Sequence, residues 1–304
     1  MRSLSVRVLG SATLVFGLVG CGPKVQPDRS PDADRVATIR TGLVRSGAGG
    51  TSAAGGAAKA EQQPTGWATL RGRFVLAGTA PPRQPLNVNK EIGVCAPGGV
   101  QVLSDELVVG SNGEMKDVVV YLTSKISDDE PWTHPSAKPG SNTEPINFDQ
   151  QQCIFKTHVL AMQVSQPLHI LNSDPVGHNT NLSPKSNPGF NQIIPSGTPG
   201  VVYQPTSEES APFPVACSIH PWMGAQIIIR DNGYFAVTGE DGTFEIANLP
   251  AGVELEFRAW QEKTKFLQDV TVNGEATKWG KGRFLLTLDP ADQSRNELTV
   301  KVSL

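Results

Sequence analysis

The string Phe213-Pro-Val-Ala-Cys217-Ser-Ile-His220-Pro-Trp-Met223 sets a thiol, an imidazole and a thioether three residues apart on one short segment. Thiolate and thioether are soft ligands that favour Cu(I), and imidazole serves both copper oxidation states, so this set suits copper. Zinc more often recruits further cysteines, histidines or carboxylates. A trigonal copper site needs a second imidazole, with the methionine as a long axial ligand. His178, in the upstream string Asn172-Ser-Asp-Pro-Val-Gly-His178-Asn179, is placed to supply it. The expected ligand set is therefore His178, Cys217, His220 and Met223 around one ion. The competing reading, an accidental Cys-x2-His-x2-Met with Cys217 oxidised, is opposed by the upstream His-Asn pair and the flanking strands. His158 and His169 fall on expected strands and read as hydrogen-bonded structural residues, while His134 sits in a Pro-rich loop and reads as solvated. A single cysteine in the loop excludes a binuclear two-cysteine copper site, and without His-x-His pairs there is no basis for a trinuclear oxidase centre. No nucleophile with its base, phosphate loop or carboxylate pair stands in a recognisable setting. The chain is expected not to be an enzyme, with no catalytic residues.

The elements that must hold these residues read as strands. The 304 residues are 38% hydrophobic, enough for real cores, and a formal charge of -3 gives no field that would draw nucleic acid. With 31 Gly and 24 Pro, and short Val/Ile/Phe-rich runs between polar turns, the pattern is all-β. Strands are expected at 68–76, 115–122, 154–164, 168–172, 201–203, 213–217 and 225–230, with a turn-rich stretch around Cys95 and an acidic surface loop over 124–151. Beyond Gly233, segments 234–238 and 243–246 read as two strands joined by a tight Asp241-Gly242 turn. Segment 248–252 reads as a further turn and 253–260 as a strand, with 267–272, 282–288 and 298–304 completing the set.

The N-terminus reads as a targeting segment. Arg2 and Arg7 precede an apolar stretch at 8–19 of signal-peptide length, too short to span a bilayer comfortably. Leu18-Val19-Gly20-Cys21 resembles the bacterial lipobox, which implies a lipoprotein signal peptide over 1–20 and lipidation of Cys21, hence a membrane anchor. Gly rather than Asp at position 22 favours the outer membrane. Residues 21–65, including Ser-Gly-Ala-Gly-Gly-Thr-Ser-Ala-Ala-Gly-Gly-Ala-Ala, form an expected flexible tether with a reach of roughly 35–40 Å. With Cys21 acylated, three cysteines remain in an oxidising compartment. Cys95 and Cys153 lie outside the motif and are the expected disulfide, leaving Cys217 free.

The region from about 155 to 230 resembles a cupredoxin, and the short Cys217-x2-His220-x2-Met223 loop with Pro221 directly after the histidine is similar to amicyanins in particular. The resemblance implies a type 1 copper site, with Asn179 tying the two ligand loops together by hydrogen bonds. It implies a one-electron carrier whose redox partner, an unidentified periplasmic or surface protein, docks at an exposed edge of His220. Pro221 and Trp222 lie beside it; Trp222 reads equally as a contact anchor or as packing over the loop. The run Val237-Thr-Gly-Glu-Asp-Gly-Thr-Phe-Glu-Ile-Ala-Asn-Leu-Pro-Ala-Gly252 resembles the carboxypeptidase-regulatory-like and Cna-B-like modules. This implies a small prealbumin-like β-sandwich over 232–304, structural or, as in relatives of that fold, carbohydrate-binding. The expected architecture is thus a cupredoxin-like Greek-key β-barrel or sandwich over 66–231, followed by that module. Segment 66–123 is either a subdomain of its own or the first strands of the barrel. Rival functions are a copper-holding or copper-delivery protein without a redox partner, and a non-catalytic structural or carbohydrate-binding envelope module.

Overall fold

Short β-branched runs broken by Gly and Pro leave little scope for helix, and the computed structural model, which describes residues 62–304, is built almost wholly of strands. The expected signal peptide, Cys21 and nearly all of the tether lie outside the described residues. In chain order come β1 (Gly66–Leu76), a four-residue helix α1 (Ile92–Cys95), and β2 (Val119–Leu122). Nine strands follow: β3 (Ile146–Gln151), β4 (Ile154–Phe155), β5 (Val159–Gln163), β6 (Leu168–Asn172), β7 (His178–Leu182), β8 (Phe190–Ile194), β9 (Val201–Tyr203), β10 (Phe213–Ala216) and β11 (Gly224–Arg230). The remainder are β12 (Phe235–Val237), β13 (Thr243–Ala251), β14 (Glu254–Gln261), β15 (Lys265–Phe266), β16 (Asp269–Val272), β17 (Glu275–Lys278), β18 (Arg283–Thr287) and β19 (Glu297–Val302).

These strands make four sheets in two sandwiches. One sandwich faces the sheet β4-β3-β6-β9 with the sheet β5-β11-β10-β7-β8, and its core contains Phe148, Ile170, Leu182, Phe213, Val215, Ile227 and Ile229. The other faces β13-β1-β19-β16-β17 with β12-β2-β14-β15, where β18 also pairs with β14, over a core that includes Leu70, Phe74, Val120, Leu255, Phe257 and Val300. The two share a wall. Because side chains alternate along a strand, Ile227 and Ile229 of β11 point into the first core while Ile228 points out of it. Ile228 meets Val159, Val119, Tyr121 and Trp260, so the outer faces of two sheets become a third apolar layer.

The expected boundary of the first domain is corrected here. Strand β1 pairs with β13 and β19, and β2 lies between β12 and β14, so 66–123 completes the C-terminal sandwich instead of opening the cupredoxin-like one. The sandwich of β3–β11 is an insertion between β2 and β12. The physical reason is in β2 itself: all four residues are buried, with Val120 and Leu122 in one core and Val119 and Tyr121 in the shared layer. A strand apolar on both faces needs cover on both, which its place between the two sandwiches provides.

Smaller expectations change too. Part of the anticipated loop at 124–151 is β3, parallel to β6. The strand anticipated over 115–122 is confined to β2, and the one over 154–164 breaks into β4 and β5 on either side of His158. The strands either side of Asp241-Gly242 are not a hairpin: β12 pairs with β2 and β13 with β1, so the turn crosses from one sheet to the other. Gly242 has φ +72 and its added Cβ would meet the Phe74 carbonyl oxygen at 2.6 Å, which only glycine avoids. The anticipated turn at 248–252 is largely strand, since β13 runs on to Ala251 around an irregularity opposite Ala68 and Leu70. The disulfide between Cys95 and Cys153 is present.

Candidate metal centre

The motif residues fill the connection of one hairpin. Strand β10 ends at Ala216, paired with Gly224 at the start of β11, so residues 217–223 must close the gap between adjacent strands. Cys217 N–H donates to the Met223 carbonyl (3.3 Å) and Met223 N–H to that of His220 (2.9 Å), folding the loop back on itself. Pro221 fixes its own φ and brings no N–H that would need a partner in so tight a connection. Strand β7 lies beside β10 and opens with His178, which brings the upstream histidine to the same end of the sheet.

There the side chains converge. The Nδ1 atoms of His178 and His220 stand 2.9 Å apart. One ring nitrogen of each histidine and Cys217 Sγ lie within 4.8 Å of one another, and all three residues are buried. The thiol receives the backbone N–H of Asn179 at 3.3 Å and of His220 at 3.4 Å. Burial pushes the Cys217 thiol up, but hydrogen bonding from the His178 ring and from the His220, Asn179 and Ile219 backbone outweighs it and leaves it below the usual thiol range. Burial likewise lowers His178, and the bonds and charges of Cys217 and Asp174 outweigh it, so its proton affinity is raised. Asn179 joins the two ligand segments: its Oδ1 accepts from the Ser218 N–H (3.1 Å) and hydroxyl (2.9 Å), while its Nδ2 donates to Asn191 Oδ1 and the Gln192 carbonyl. Met223 is buried in the same core cluster as Cys217.

Two residues that the sequence did not single out stand behind the imidazoles. His178 Nε2 meets Asp174 Oδ2 at 2.7 Å, and His220 Nε2 meets Glu91 Oε2 at 3.0 Å. Asp174 is itself fixed by the backbone N–H groups of Gln152 (2.6 Å) and Cys153 (2.8 Å). Its position four residues before His178 was a readable signal. Glu91, in a separate segment 129 residues from His220, left none.

The expected exposure of His220 is corrected: its side chain has 0% of its surface accessible, because Glu91 and the Cys95–Cys153 bridge stand over its outer edge. Pro221 is exposed. Trp222 is partly buried, its ring 5.1 Å from that of His220 and its Nε1–H on the Cys153 carbonyl (3.1 Å), so it packs over the loop. His158 is held by Glu262, in keeping with a structural histidine.

The donor set fits a soft or borderline cation. Each Nε2 faces a carboxylate and the two Nδ1 atoms face each other, so a cation bound between the Nδ1 atoms and the sulfur would take a donor from each residue while the carboxylates hold the far ring nitrogens. Asp174 and Glu91 engage the far ring nitrogens and stand as orienting groups behind the ligands.

No protein-family profile matches the chain, and no curated protein matches it. Among solved structures it is similar to an amicyanin point mutant in the oxidised state, at 15% identity, covering 28% of this chain and 82% of that one with a TM-score of 0.26. A reduced amicyanin mutant is similar at 14% identity, with 32% and 94% covered and a TM-score of 0.25. A copper-containing nitrite reductase from Thermus scotoductus SA-01 is similar at 20% identity over 28% of this chain, which spans 22% of that enzyme, with a TM-score of 0.25. Likeness at this level leaves the functional reading to the site's own geometry.

Proposed function

We propose that this chain is a copper-binding envelope lipoprotein in which His178, Cys217, His220 and Met223 would hold one ion, and that it carries single electrons. The supporting observation is the convergence of two imidazole Nδ1 atoms, 2.9 Å apart, with a buried thiol that already receives two backbone N–H groups. Copper bound there supplies a one-electron couple. The chain's own residues keep the donors fixed and dry: Asp174 and Glu91 orient the rings, Asn179 clamps the two loops, and the surrounding core excludes water. That rigidity limits the rearrangement between oxidation states. In this reading the protein is not an enzyme, Cys21 carries the lipid that holds it at the envelope, the outer membrane being favoured, and a periplasmic or surface redox protein is its partner.

The enclosure of His220 favours a second reading, copper holding or delivery, because the ring edge through which a partner would draw an electron is covered. Addition of Cu(II) to the purified mature protein is expected to give one equivalent of bound copper and an intense thiolate-to-copper visible band. In Cys217→Ser the band is expected to vanish. A parent protein that binds no copper, or binds it without that band, overturns the proposal. Reversible one-electron cycling separates the carrier from the holding protein.

A further inference from the structure

The connection between β1 and β2 belongs to the C-terminal sandwich by chain order, yet part of it lies over the metal-site loop of the other sandwich. Three contacts fix it there. Glu91 Oε2 takes His220 Nε2 at 3.0 Å, and Lys90 Nζ donates to the Ile219 carbonyl at 2.9 Å. Cys95, at the end of α1, is bonded to Cys153, and both sulfurs lie within 4.8 Å of a His220 ring nitrogen. Cys153 also carries the carbonyl that receives Trp222 Nε1–H. The disulfide is buried, at 1% and 0% exposure for its two residues, so it serves as a permanent pin.

The backbone at Glu91 is itself unusual. Glu91 has φ 40 and ψ 44, a left-handed conformation that a residue with a Cβ adopts only at a cost. Strain of this kind persists where the surroundings over-determine it and marks sites where the side chain's direction matters. Here the direction sets a carboxylate on a buried imidazole that has no other partner on that nitrogen.

We propose that residues 88–96 are a cap on the metal site and that Glu91 is a positioning residue for His220, delivered by the second sandwich and locked by the Cys95–Cys153 bridge. The proposal rests on the copper reading for its chemical consequence and on geometry alone for the cap. It gives the C-terminal sandwich a task at the site: it anchors both ends of the segment that closes the ring edge. With Asp174 behind His178, the cap completes a matched pair in which each imidazole is backed by a carboxylate. Such pairs make the ring a stronger donor and, by adding negative charge behind it, favour the higher oxidation state of a bound metal.

The test has a metal-free arm and a copper arm. In the full metal-free chain treated with diethyl pyrocarbonate and read by site-resolved mass spectrometry, His220 is expected to be protected. In the Cys95→Ala/Cys153→Ala double variant its modification is expected to rise at least tenfold, while His178, buried by other elements, stays protected and the partly exposed His169 reacts equally in both. Ready modification of His220 in the parent, or no change in the variant, overturns the cap. A variant in which His178 also reacts has lost its fold, and the near-isosteric Glu91→Gln then decides. In the copper-loaded protein that variant is expected to lower the preference for Cu(II) over Cu(I) about tenfold, a rise of about 59 mV in reduction potential, with Glu91→Asp restoring part of it. An unchanged potential overturns the positioning role. A chain that takes up no copper removes the proposed function while leaving the protection pattern of His220 to report on the cap.

Discussion

Each imidazole of the cluster is held from behind, but the two carboxylates are held differently. Asp174 is buried and receives two backbone N–H groups, so it cannot swing away from His178. Glu91 is 42% exposed at its side chain and depends on the cap to stay in place. Asp174→Asn is therefore the sharper single change. An amide in that position can offer an N–H where the ring needs an acceptor, which turns the His178 tautomer against metal binding. Copper affinity measured by competition with a chelator is expected to fall about 10–100-fold, the range for such outer partners. The thiol and the two rings were legible in the sequence because their spacing is local to one loop, with a His-Asn pair upstream. The carboxylates were not, because an acidic residue has no distinguishing pattern until the fold sets it against a ring.

At the scale of elements, the hairpin of β10 and β11 makes the Cys-x2-His-x2-Met spacing a geometric necessity, and Trp222 closes it. Trp222→Phe keeps the ring over His220 but removes the donor to the Cys153 carbonyl, leaving that buried acceptor unpaired. Denaturant unfolding is expected to show a loss of about 1–3 kcal/mol, with the disulfide intact in both proteins. Strand β6 was readable from its short apolar run, in which Leu168 and Ile170 face inward with the polar Asn172. Strands β7 and β8 were not: His178-Asn-Thr-Asn-Leu182 is polar, and its burial is supported by hydrogen bonds such as those of Asn179, which no periodicity announces. The Asp241-Gly242 turn was recognised, while its partners were misassigned, since a turn residue fixes local φ and says nothing of which sheet each flanking strand will join.

For the whole molecule, the decisive feature is the shared layer of Val119, Tyr121, Val159, Ile228 and Trp260. Arg230 stitches it further, donating to the carbonyls of Glu209 and Leu122 while its guanidinium lies 5.1 Å from the centre of the Tyr121 ring. A fragment of residues 232–304 lacks β1 and β2, interior strands of its two sheets, and is expected to be unfolded by circular dichroism and NMR dispersion; a folded fragment would show that those strands are dispensable. His158, just before β5, and Glu262, just after β14, pair across the two sandwiches. Burial alone lowers His158, but the bond and charge of Glu262, with Asp105 and Asp117, raise it above its ordinary 6.5. The folded chain thus holds this proton more tightly than the unfolded one. The histidine's share of the stability is full below about pH 6.5 and is lost as pH rises through the raised value. Glu262 is lowered overall, its burial outweighed by His158 and Gln226, so its share is lost on the acid side, as pH falls through the lowered value. Thermal melts in copper-free buffer are expected to show stability falling above neutrality in the parent and a flatter profile in His158→Gln.

The all-β class, the meeting of His178, Cys217 and His220, and the cysteine pair were legible in the residues alone, since alternation, ligand softness and cysteine count are properties of residues and short spacings. Only the folded chain shows that the sandwich of β3–β11 is inserted into the other one, and that Glu91 and the Cys95–Cys153 bridge stand at His220. Those outcomes depend on long-range strand pairing, where β2 found cover for both of its apolar faces. That pairing carried a strained glutamate to a ring 129 residues away.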